Sequence, residues 1–344
     1  MLALFTEEQE MLREMAAKLA ESVGLTNPDD LETVDRAAGW RNLADSGLLA
    51  LRTREGGAPA ASGVEVMLVA EALGGALAPL PFVGTAAALE LLALVGAPDA
   101  WLDEASAGTT RYGLLLGPDL SALADVDQLD GVVAWDVDEA EWALALRGSG
   151  DDRRVVRVAL GDGWSPLAAA DLTREVKAAG GAPQIIEEAG ALGAGVHERW
   201  LAMALVLVSA DAAGVMRSGL SRAVEYAKER VQYGVKIGSF QAIQHLCAET
   251  LVKVEASASA VRYAAWAIDE LPPDEALLAA RTAKAHVAGV SRDVTETVMQ
   301  VFGGIGQTWE HIAHVYTRRA LMDRQVLGDG PTQLDAIADA RLQG

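Results

Sequence analysis

Cysteine is nearly absent from this sequence: Cys247 is the single one among 344 residues. One thiol cannot build a disulfide framework, which excludes the small extracellular domains that disulfides hold together. The first residues, MLALFTEEQEMLRE, also lack the basic and then apolar segments of an export signal. We therefore expect a cytoplasmic protein.

Positive charge is scarce as well. The chain carries 28 Lys and Arg against 49 Asp and Glu, a formal net charge of -21. Because binding to nucleic acid requires a broad basic face, this composition excludes nucleic acid as a partner. An anionic ligand would have to be held by a local group of Arg or Lys side chains.

Long apolar runs are limited to one clear case, from Trp200 to Met216. A helix without a polar face has to lie in the middle of a bundle. The run is close to a transmembrane length, but Ser209 and Asp211 interrupt it and a charged segment follows. The sequence therefore predicts a buried core helix and no membrane span.

Histidine does not indicate a metal site. His311 and His314 are three residues apart on a predicted helix, but no cysteine or further histidine nearby completes a ligand set. The other three, His197, His245 and His286, are scattered along the chain. We expect no bound metal.

The order of local patterns is helical, then β, then helical, which predicts an α+β fold of three domains. Residues 1–108 form helices, the first of them capped by Thr6 and running to about Val23. Residues 109–192 form a small antiparallel β domain, a sheet or a barrel, from short apolar runs between turn residues. Residues 193–344 are helical again, and the helix after Gly238 has an apolar stripe of about eight turns.

Two motifs carry ligand chemistry. The first, RVQYGVKIGSFQ from Arg230 to Gln241, is a cationic and glycine-bearing turn between two long helices, and such a turn can hold an anion. The second, QVFGGIGQTWEHIAHVYTRR from Gln300 to Arg319, has glycines at the end of a helix that leave the backbone open to a diphosphate or a flat ring. Alone, such glycines are weak evidence, since glycine ends many helices.

With both motifs in this order and the three-part layout, the chain resembles the acyl-CoA dehydrogenases. This resemblance implies a helical N-terminal domain, a middle β domain that is reduced here, and a C-terminal four-helix bundle. It also implies FAD as cofactor and an acyl-CoA thioester as substrate. The family removes the α-proton with a Glu while the flavin takes the β-hydride.

The resemblance assigns the cofactor contacts residue by residue. The first motif of the family reaches the diphosphate and ribityl region of FAD across a subunit interface, which here maps to Arg230, Gln232, Tyr233 and Gln241. The glycine loop contacts the adenosine diphosphate part of FAD bound mainly by a neighbouring subunit, which maps to Gln300, Gly303, Gly304 and Thr308.

The catalytic Glu of the family is missing. Its two known positions map to Ala204 on the long apolar helix and to Leu327 before Gly328. Asp211, two turns after Ala204, is the remaining candidate, because a buried carboxylate would have a raised pKa that suits a base. A bond to a neighbouring helix or backbone is the more frequent role of such a residue, and Glu198 and Glu249 are weaker candidates.

Three hypotheses follow. In the first, the chain is the shorter, base-lacking subunit of a heteromeric, α2β2 acyl-CoA dehydrogenase of the actinobacterial type, which degrades fatty acids or sterol side chains. In the second, it is a self-sufficient homo-oligomeric dehydrogenase with Asp211 as base. In the third, it is a flavin-free scaffold with the same fold. The family's usual electron acceptor, an electron-transferring flavoprotein, is the expected redox partner of either enzyme.

Overall fold

The protein is described by a computed structural model that covers residues 4–55, 57–181 and 185–342. The predicted order of helices, sheet and helices is confirmed. The N-terminal helices and one short hairpin have these bounds: α1 (Glu7–Val23), α2 (Asp30–Thr33), α3 (Arg36–Asp45), β1 (Arg54–Glu55), β2 (Ala58–Pro59), α4 (Gly63–Gly75), α5 (Phe82–Val95) and α6 (Asp99–Ser106).

The start of α1 is as the sequence predicts. The Thr6 hydroxyl accepts a hydrogen bond from the Gln9 amide, and the Gln9 side chain accepts one from the Thr6 amide, so two free amides of the first turn are satisfied. The helix that carries Trp40 is short, Arg36–Asp45. The chain turns out of helix after Thr33, and Asp35 caps a new helix through the Ala38 amide.

The middle of the chain forms one seven-stranded sheet in the order β7-β8-β4-β3-β5-β6-β9. Its strands are β3 (Tyr112–Leu116), β4 (Val133–Trp135), β5 (Trp142–Arg147), β6 (Arg154–Ala159), β7 (Trp164–Pro166), β8 (Val176–Ala179) and β9 (Ile186–Ala191). The first four agree with the apolar runs in the sequence. The last three are too short or too polar to be recognised from alternation.

Of the two expected forms, an antiparallel sheet or a barrel, the structure has the sheet, with five antiparallel pairs and one parallel pair. Strands β3 and β5 pair in parallel, with Tyr112 opposite Trp142. The sheet is also open, since β7 and β9 are its two edges. Strand β3 is buried along its whole length because α5 covers one face and a second apolar core, with Val137 and Val156, covers the other.

The C-terminal region is helical apart from one hairpin. Its elements are α7 (Val196–Glu229), β10 (Val231–Gln232), β11 (Val235–Lys236), α8 (Gln241–Glu270), α9 (Pro273–Phe302), α10 (Ala313–Gln325) and α11 (Gly330–Leu342). Short 3-10 turns precede α8 and follow α9.

Helix α7 is the centre of the molecule, in contact with α4 and α5 of the first region and with α8, α9 and α10 of the last. By length and composition it could cross a membrane, but most of its apolar stretch is buried inside the structure. Its crossing with α4 is very close. A Cβ added at Gly214 would lie 2.0 Å from the Glu71 carbonyl oxygen, so only glycine fits there.

Candidate functional site

The first motif folds as a tight hairpin between α7 and α8. Strands β10 and β11 pair with Val231 opposite Lys236, which leaves Tyr233 and Gly234 as the two turn residues. Both have positive φ angles, 53° and 79°, as a type I′ turn requires. The Tyr233 side chain is 92% exposed. The hairpin therefore projects from the bundle, and none of the described residues covers the Tyr233 side chain.

Arg230 ends α7 and is exposed. Within the described residues its guanidinium makes no hydrogen bond or ion pair, although the chain is rich in acids. Gln241 opens α8, and no side chain caps that helix start. Ile243 and Gln244 donate to the Phe240 carbonyl, which leaves the amides of the first two helical residues open to a ligand. A free guanidinium beside an uncapped helix N-terminus suits a phosphate group.

The second motif begins where α9 ends. Gly303 follows Phe302 with φ 68° and ψ -145°, a conformation that side chains other than glycine rarely adopt. A Cβ added at Gly303 or Gly304 would meet no atom within 4 Å, so the backbone faces open space on this side. Gln300 and Thr308 lie at the two ends of the loop, and both are exposed.

The structure brings the two motifs to the same end of the bundle. The ring of Tyr226, one turn before Arg230, lies 5.0 Å from the ring of Phe302, next to Gly303. Both motifs are surrounded by exposed apolar side chains: Val231, Val235, Phe240, Leu251, Val252, Ile305 and Trp309. Contiguous apolar groups of this kind mark a surface that another protein or a ligand covers.

The apolar stripe predicted on α8 is only partly buried. Val254, Val261 and Ile268 lie in the core, but Leu251 is 49% exposed and Cys247 is half-buried. The first half of the stripe therefore packs against the core only in part, through Ile243 and Cys247, and leaves Leu251 half open to solvent. Its position, next to the hairpin, extends the apolar surface around the first motif.

The two positions that map to the family's catalytic Glu are filled by packed apolar side chains. Ala204 and Leu327 are 0% and 1% exposed. The Leu327 amide donates to the Leu120 carbonyl at 2.7 Å, and Gln333 Nε2 donates to the Leu327 carbonyl at 2.7 Å. These bonds tie the loop to the turn after β3 and to α11, and neither side chain is a proton acceptor.

Asp211 is fully buried and forms a bidentate ion pair with Arg319. Arg174 Nη2 lies 3.0 Å from the same carboxylate. Burial alone would raise the pKa of Asp211, but the two guanidiniums outweigh it and hold that pKa well below its usual range. The expectation of a raised pKa is therefore wrong. A role as catalytic base stays a prediction, although a carboxylate in this state holds a proton poorly.

Three further carboxyl groups complete this ion cluster. Arg174 Nη1 lies 2.5 Å from Asp323 and 3.4 Å from Asp171, and its Nε lies 3.5 Å from Asp136. Burial and the neighbouring Asp211 raise the pKa of Asp323, although Arg174 opposes them. Burial also raises the pKa of Asp136 to about 6. The cluster thus holds four carboxyl groups and two guanidiniums in one buried site, so the titrations of its acids depend on one another.

The cluster joins three parts of the chain. Its members are distant in sequence, so the sequence gives little sign that they meet. Arg174 comes from the loop before β8, Arg319 from α10 and Asp211 from α7; Arg319 also donates to the Ala78 carbonyl and to the Thr173 hydroxyl. The one available signal is Asp211 itself, since a charge in an apolar helix requires a cation. Which of the chain's arginines supplies it depends on tertiary contacts.

The remaining candidates have ordinary surroundings. Glu198 lies half-buried in the first turn of α7, and Glu249 is exposed on α8. His311 packs against Phe302, and His314 stacks on Trp309. Among the described residues no three His, Cys, Asp or Glu side chains come together in a way that could hold a metal ion.

The groups present fit FAD at the end of the bundle. A diphosphate matches the open start of α8 and Arg230, which has no side-chain partner in the described part of the chain. The bare backbone at Gly303 and Gly304 allows close approach of a phosphate or a flat ring. The eight predicted contact residues lie on the outer surface rather than in a cleft of this chain, in keeping with a cofactor shared between subunits.

Two family models match the chain: "Acyl-CoA dehydrogenase, N-terminal domain" over residues 6–100 and "Acyl-CoA dehydrogenase, C-terminal domain" over residues 193–342. The chain is 33% identical to acyl-CoA dehydrogenase IpdE2 of Mycobacterium tuberculosis over 331 residues, which cover 93% of each protein. It is 43% identical to acyl-CoA dehydrogenase FadE34 of the same organism over 123 residues, 36% of this chain and 17% of that much longer protein.

Solved structures share the fold. The ChsE4-ChsE5 complex from Mycobacterium tuberculosis superposes with a TM-score of 0.80 at 24% identity, over all of both chains. The Tcur3481-Tcur3483 steroid ACAD G363A variant superposes with a TM-score of 0.83 at 24% identity, over 98% of both. The architecture, the two family models and the full-length relative agree: the chain belongs to the acyl-CoA dehydrogenase family, a family of FAD-dependent oxidoreductases.

Proposed function

We propose that this chain is the base-lacking subunit of a heteromeric acyl-CoA dehydrogenase, in which it completes the FAD site of a longer partner subunit. The reaction is α,β-dehydrogenation of an acyl-CoA from fatty-acid or sterol side-chain breakdown. FAD held at this site would supply the hydride acceptor, and the partner subunit would supply the carboxylate base. The single observation that carries the proposal is an incomplete site: Arg230 is exposed and unpaired among the described residues, while neither position that maps to the family's base, Ala204 or Leu327, holds an acid.

The two base positions support the same assignment. Ala204 and Leu327 are buried and apolar, and hydrogen bonds to Leu120 and Gln333 fix the backbone at Leu327. Loss of a positioned base removes about a hundredfold to ten-thousandfold of rate. A subunit of this kind contributes through cofactor binding and assembly rather than through proton transfer.

The apolar surface around the two motifs supports a partner. Val252, 70% exposed on α8, and the half-buried stripe next to it need a covering layer. The likeness to the ChsE4-ChsE5 complex supports a heteromeric assembly, and we propose a dimer of dimers. We propose cytoplasmic location, an electron-transferring flavoprotein as acceptor, and domain limits at residues 1–108, 109–192 and 193–344.

A self-sufficient homo-oligomeric dehydrogenase with Asp211 as base is the second candidate. One observation favours it: Asp211 is an acid on the same helix as Ala204, inside the fold. Its ion pairs with Arg319 and Arg174 oppose it, because they lower the pKa of the carboxylate. Asp211→Asn decides this. If acyl-CoA still reduces the flavin of the variant homo-oligomer, Asp211 is not the base.

The principal test is the visible spectrum and the mass of the chain purified alone and purified with a longer acyl-CoA dehydrogenase subunit. A colourless chain that becomes yellow only in the heteromer supports the proposal. A flavin band from the chain purified alone would favour the self-sufficient homo-oligomer. A colourless protein in both cases leaves the flavin-free scaffold.

Arg230→Ala in the assembled enzyme tests the site directly. The variant removes a phosphate contact and no core packing, so the enzyme assembles normally and loses flavin. Arg41→Ala is the matched control, since Arg41 is an exposed arginine on α3. Equal flavin content in the two variants would contradict the assignment of Arg230.

A further inference from the structure

A cavity of about 490 Å³ lies at the end of the bundle that is distant from both motifs. The start of α4, the second half of α5, the first turn of α7 and the last turn of α8 bound it, together with the β1–β2 hairpin. Helix α8 has 30 residues, a length of about 45 Å, and runs from the first motif to this cavity. The cavity is therefore separate from the surface that we assign to FAD. Its volume is typical of small-molecule sites.

The wall of the cavity contains a buried cation, Arg52, which is 5% exposed. Its Nε and Nη2 donate to the two oxygens of Glu90 at 2.9 and 3.1 Å. Its Nη1 donates to Asp269 at 2.9 Å and to the Ala61 carbonyl at 3.0 Å. The second oxygen of Asp269 accepts from the Gly63 amide at 2.6 Å. Arg52 and the two acids thus satisfy one another and form a fixed polar wall.

Two further guanidiniums at the cavity have donors to spare. Arg54 Nη2 donates to Glu90 at 2.8 Å, but Arg54 Nε is buried and has no hydrogen-bond partner among the described residues. Arg199 lines the cavity from α7, and its side chain makes no hydrogen bond or ion pair in the described part of the chain. Buried donors without an acceptor are rare in folded proteins, so an acceptor inside the cavity would complete this site.

The charges at the cavity indicate an anion with a single charge. Three guanidiniums, of Arg52, Arg54 and Arg199, face only two carboxylates, those of Glu90 and Asp269, in a chain whose formal net charge is -21. Both carboxylates already accept hydrogen bonds through both of their oxygens. Arg199 is therefore the cation that an anionic ligand would pair with. A guanidinium matches a carboxylate in charge and in geometry.

The rest of the lining is apolar and includes Pro59, Ala60, Leu94 and Ile268. We propose that this cavity binds an organic monocarboxylate with an apolar body, whose carboxylate pairs with Arg199 and accepts a hydrogen bond from Arg54 Nε. Leu94 and Ile268 contact its hydrocarbon part. The site goes beyond the proposed function and does not depend on it, because its residues all belong to this chain and lie outside both motifs.

Isothermal titration calorimetry of the full chain with hexanoate tests the site, and we expect one saturable site per chain. Three other probes define the ligand. Hexanamide has the same body without the charge, acetate has the charge without the body, and inorganic phosphate is an anion of another class. We expect each of the three to bind at least about tenfold more weakly than hexanoate.

Arg199→Ala removes the unpaired guanidinium and little packing, because Arg199 is exposed. We expect it to raise the Kd for hexanoate by about 10- to 100-fold. Arg41→Ala is the matched control, since Arg41 is an exposed arginine on α3, and it should bind hexanoate as wild type does.

Four results would overturn the inference. They are no saturable binding of hexanoate, equal affinity for hexanoate and hexanamide or acetate, tighter binding of phosphate than of hexanoate, and equal Kd values in Arg199→Ala and Arg41→Ala. The last of these would show that the anion binds elsewhere on the chain. None of the four affects the FAD assignment, which the flavin content of Arg230→Ala tests separately.

Discussion

Asp211 and Arg319 form a bidentate ion pair inside the protein, with Nε to Oδ2 at 2.8 Å and Nη2 to Oδ1 at 2.6 Å. Neither side chain is more than 1% exposed. The pair joins α7 to α10, and through Arg174 it reaches the sheet. The carboxylate that the sequence offers as a base thus serves in the structure as an anchor between regions.

The first prediction concerns this pair. Asp211→Asn leaves the Arg319 and Arg174 guanidiniums buried with less compensating charge, and we expect the free energy of unfolding to fall by about 3–5 kcal/mol. Urea unfolding measures it. The control is Glu71→Gln, whose partner Arg217 is 43% exposed, with an expected loss of at most about 1 kcal/mol. Similar losses of unfolding free energy in the two variants would show that the buried Asp211 pair stabilises the fold no more than an exposed pair does.

The second prediction concerns pH. Burial raises the pKa of Asp136 to about 6, above its value of 3.8 in the unfolded chain, although Arg174 opposes the shift. The folded protein therefore holds this proton more tightly, and the stability it contributes is present below pH 4 and lost as pH rises through 6. Asn needs no proton and can still accept from the Gly84 amide. Relative to wild type, we expect Asp136→Asn to gain about 3 kcal/mol between pH 4 and pH 8.

Unfolding curves of both proteins across this pH range provide the measurement. Asp162→Asn is the control, because Asp162 is exposed in the turn before β7. Its stability difference from wild type should not vary with pH. A flat difference for Asp136→Asn as well would mean that Asp136 is ionised in the fold throughout the range.

The third prediction separates folding from cofactor binding in the glycine loop. Gly304→Ala adds a methyl group that meets no protein atom, so the melting temperature should stay within a few degrees of wild type. The same methyl group fills space that we assign to FAD, so flavin content of the heteromer should fall. Gly289→Ala, at an equally open position on α9, is the control and should retain flavin. Full flavin in Gly304→Ala would place the cofactor elsewhere.

The fourth prediction concerns a cation held between two tryptophans. The Arg157 guanidinium lies 3.5 Å from the ring centroid of Trp101 and 4.0 Å from that of Trp142, and it donates to the Tyr112 hydroxyl at 3.0 Å. A planar guanidinium stacks on both rings, whereas an ammonium cannot. We expect Arg157→Lys to lower the free energy of unfolding by about 1–3 kcal/mol.

Arg154→Lys on the same strand is the matched control. Arg154 is 46% exposed, and its ion pair, with Nη1 3.4 Å from Glu188 Oε1, lies in solvent. It should change stability by less than about 0.5 kcal/mol. Urea unfolding of both variants decides the matter. An equally small loss of stability for Arg157→Lys would mean that the two tryptophan rings stabilise an ammonium as well as a guanidinium.

Local patterns determined much of the architecture. The Thr6 cap, the apolar run of α7 and the spacing of apolar residues in α9 predict helices because burial of a stripe follows directly from period. The hairpin at Tyr233 and Gly234 and the helix end at Gly303 follow from the conformations that glycine permits. These features also carried the family resemblance and the choice of FAD.

Only the tertiary structure decided the state of Asp211. The sequence places an acid in an apolar helix, and such an acid gains or loses proton affinity according to which charges lie beside it. Arg174 and Arg319 are distant in sequence and reach it through the loop before β8 and through α10. The parallel pairing of β3 with β5 and the exposure of half the α8 stripe were decided in the same way, because both depend on which elements meet.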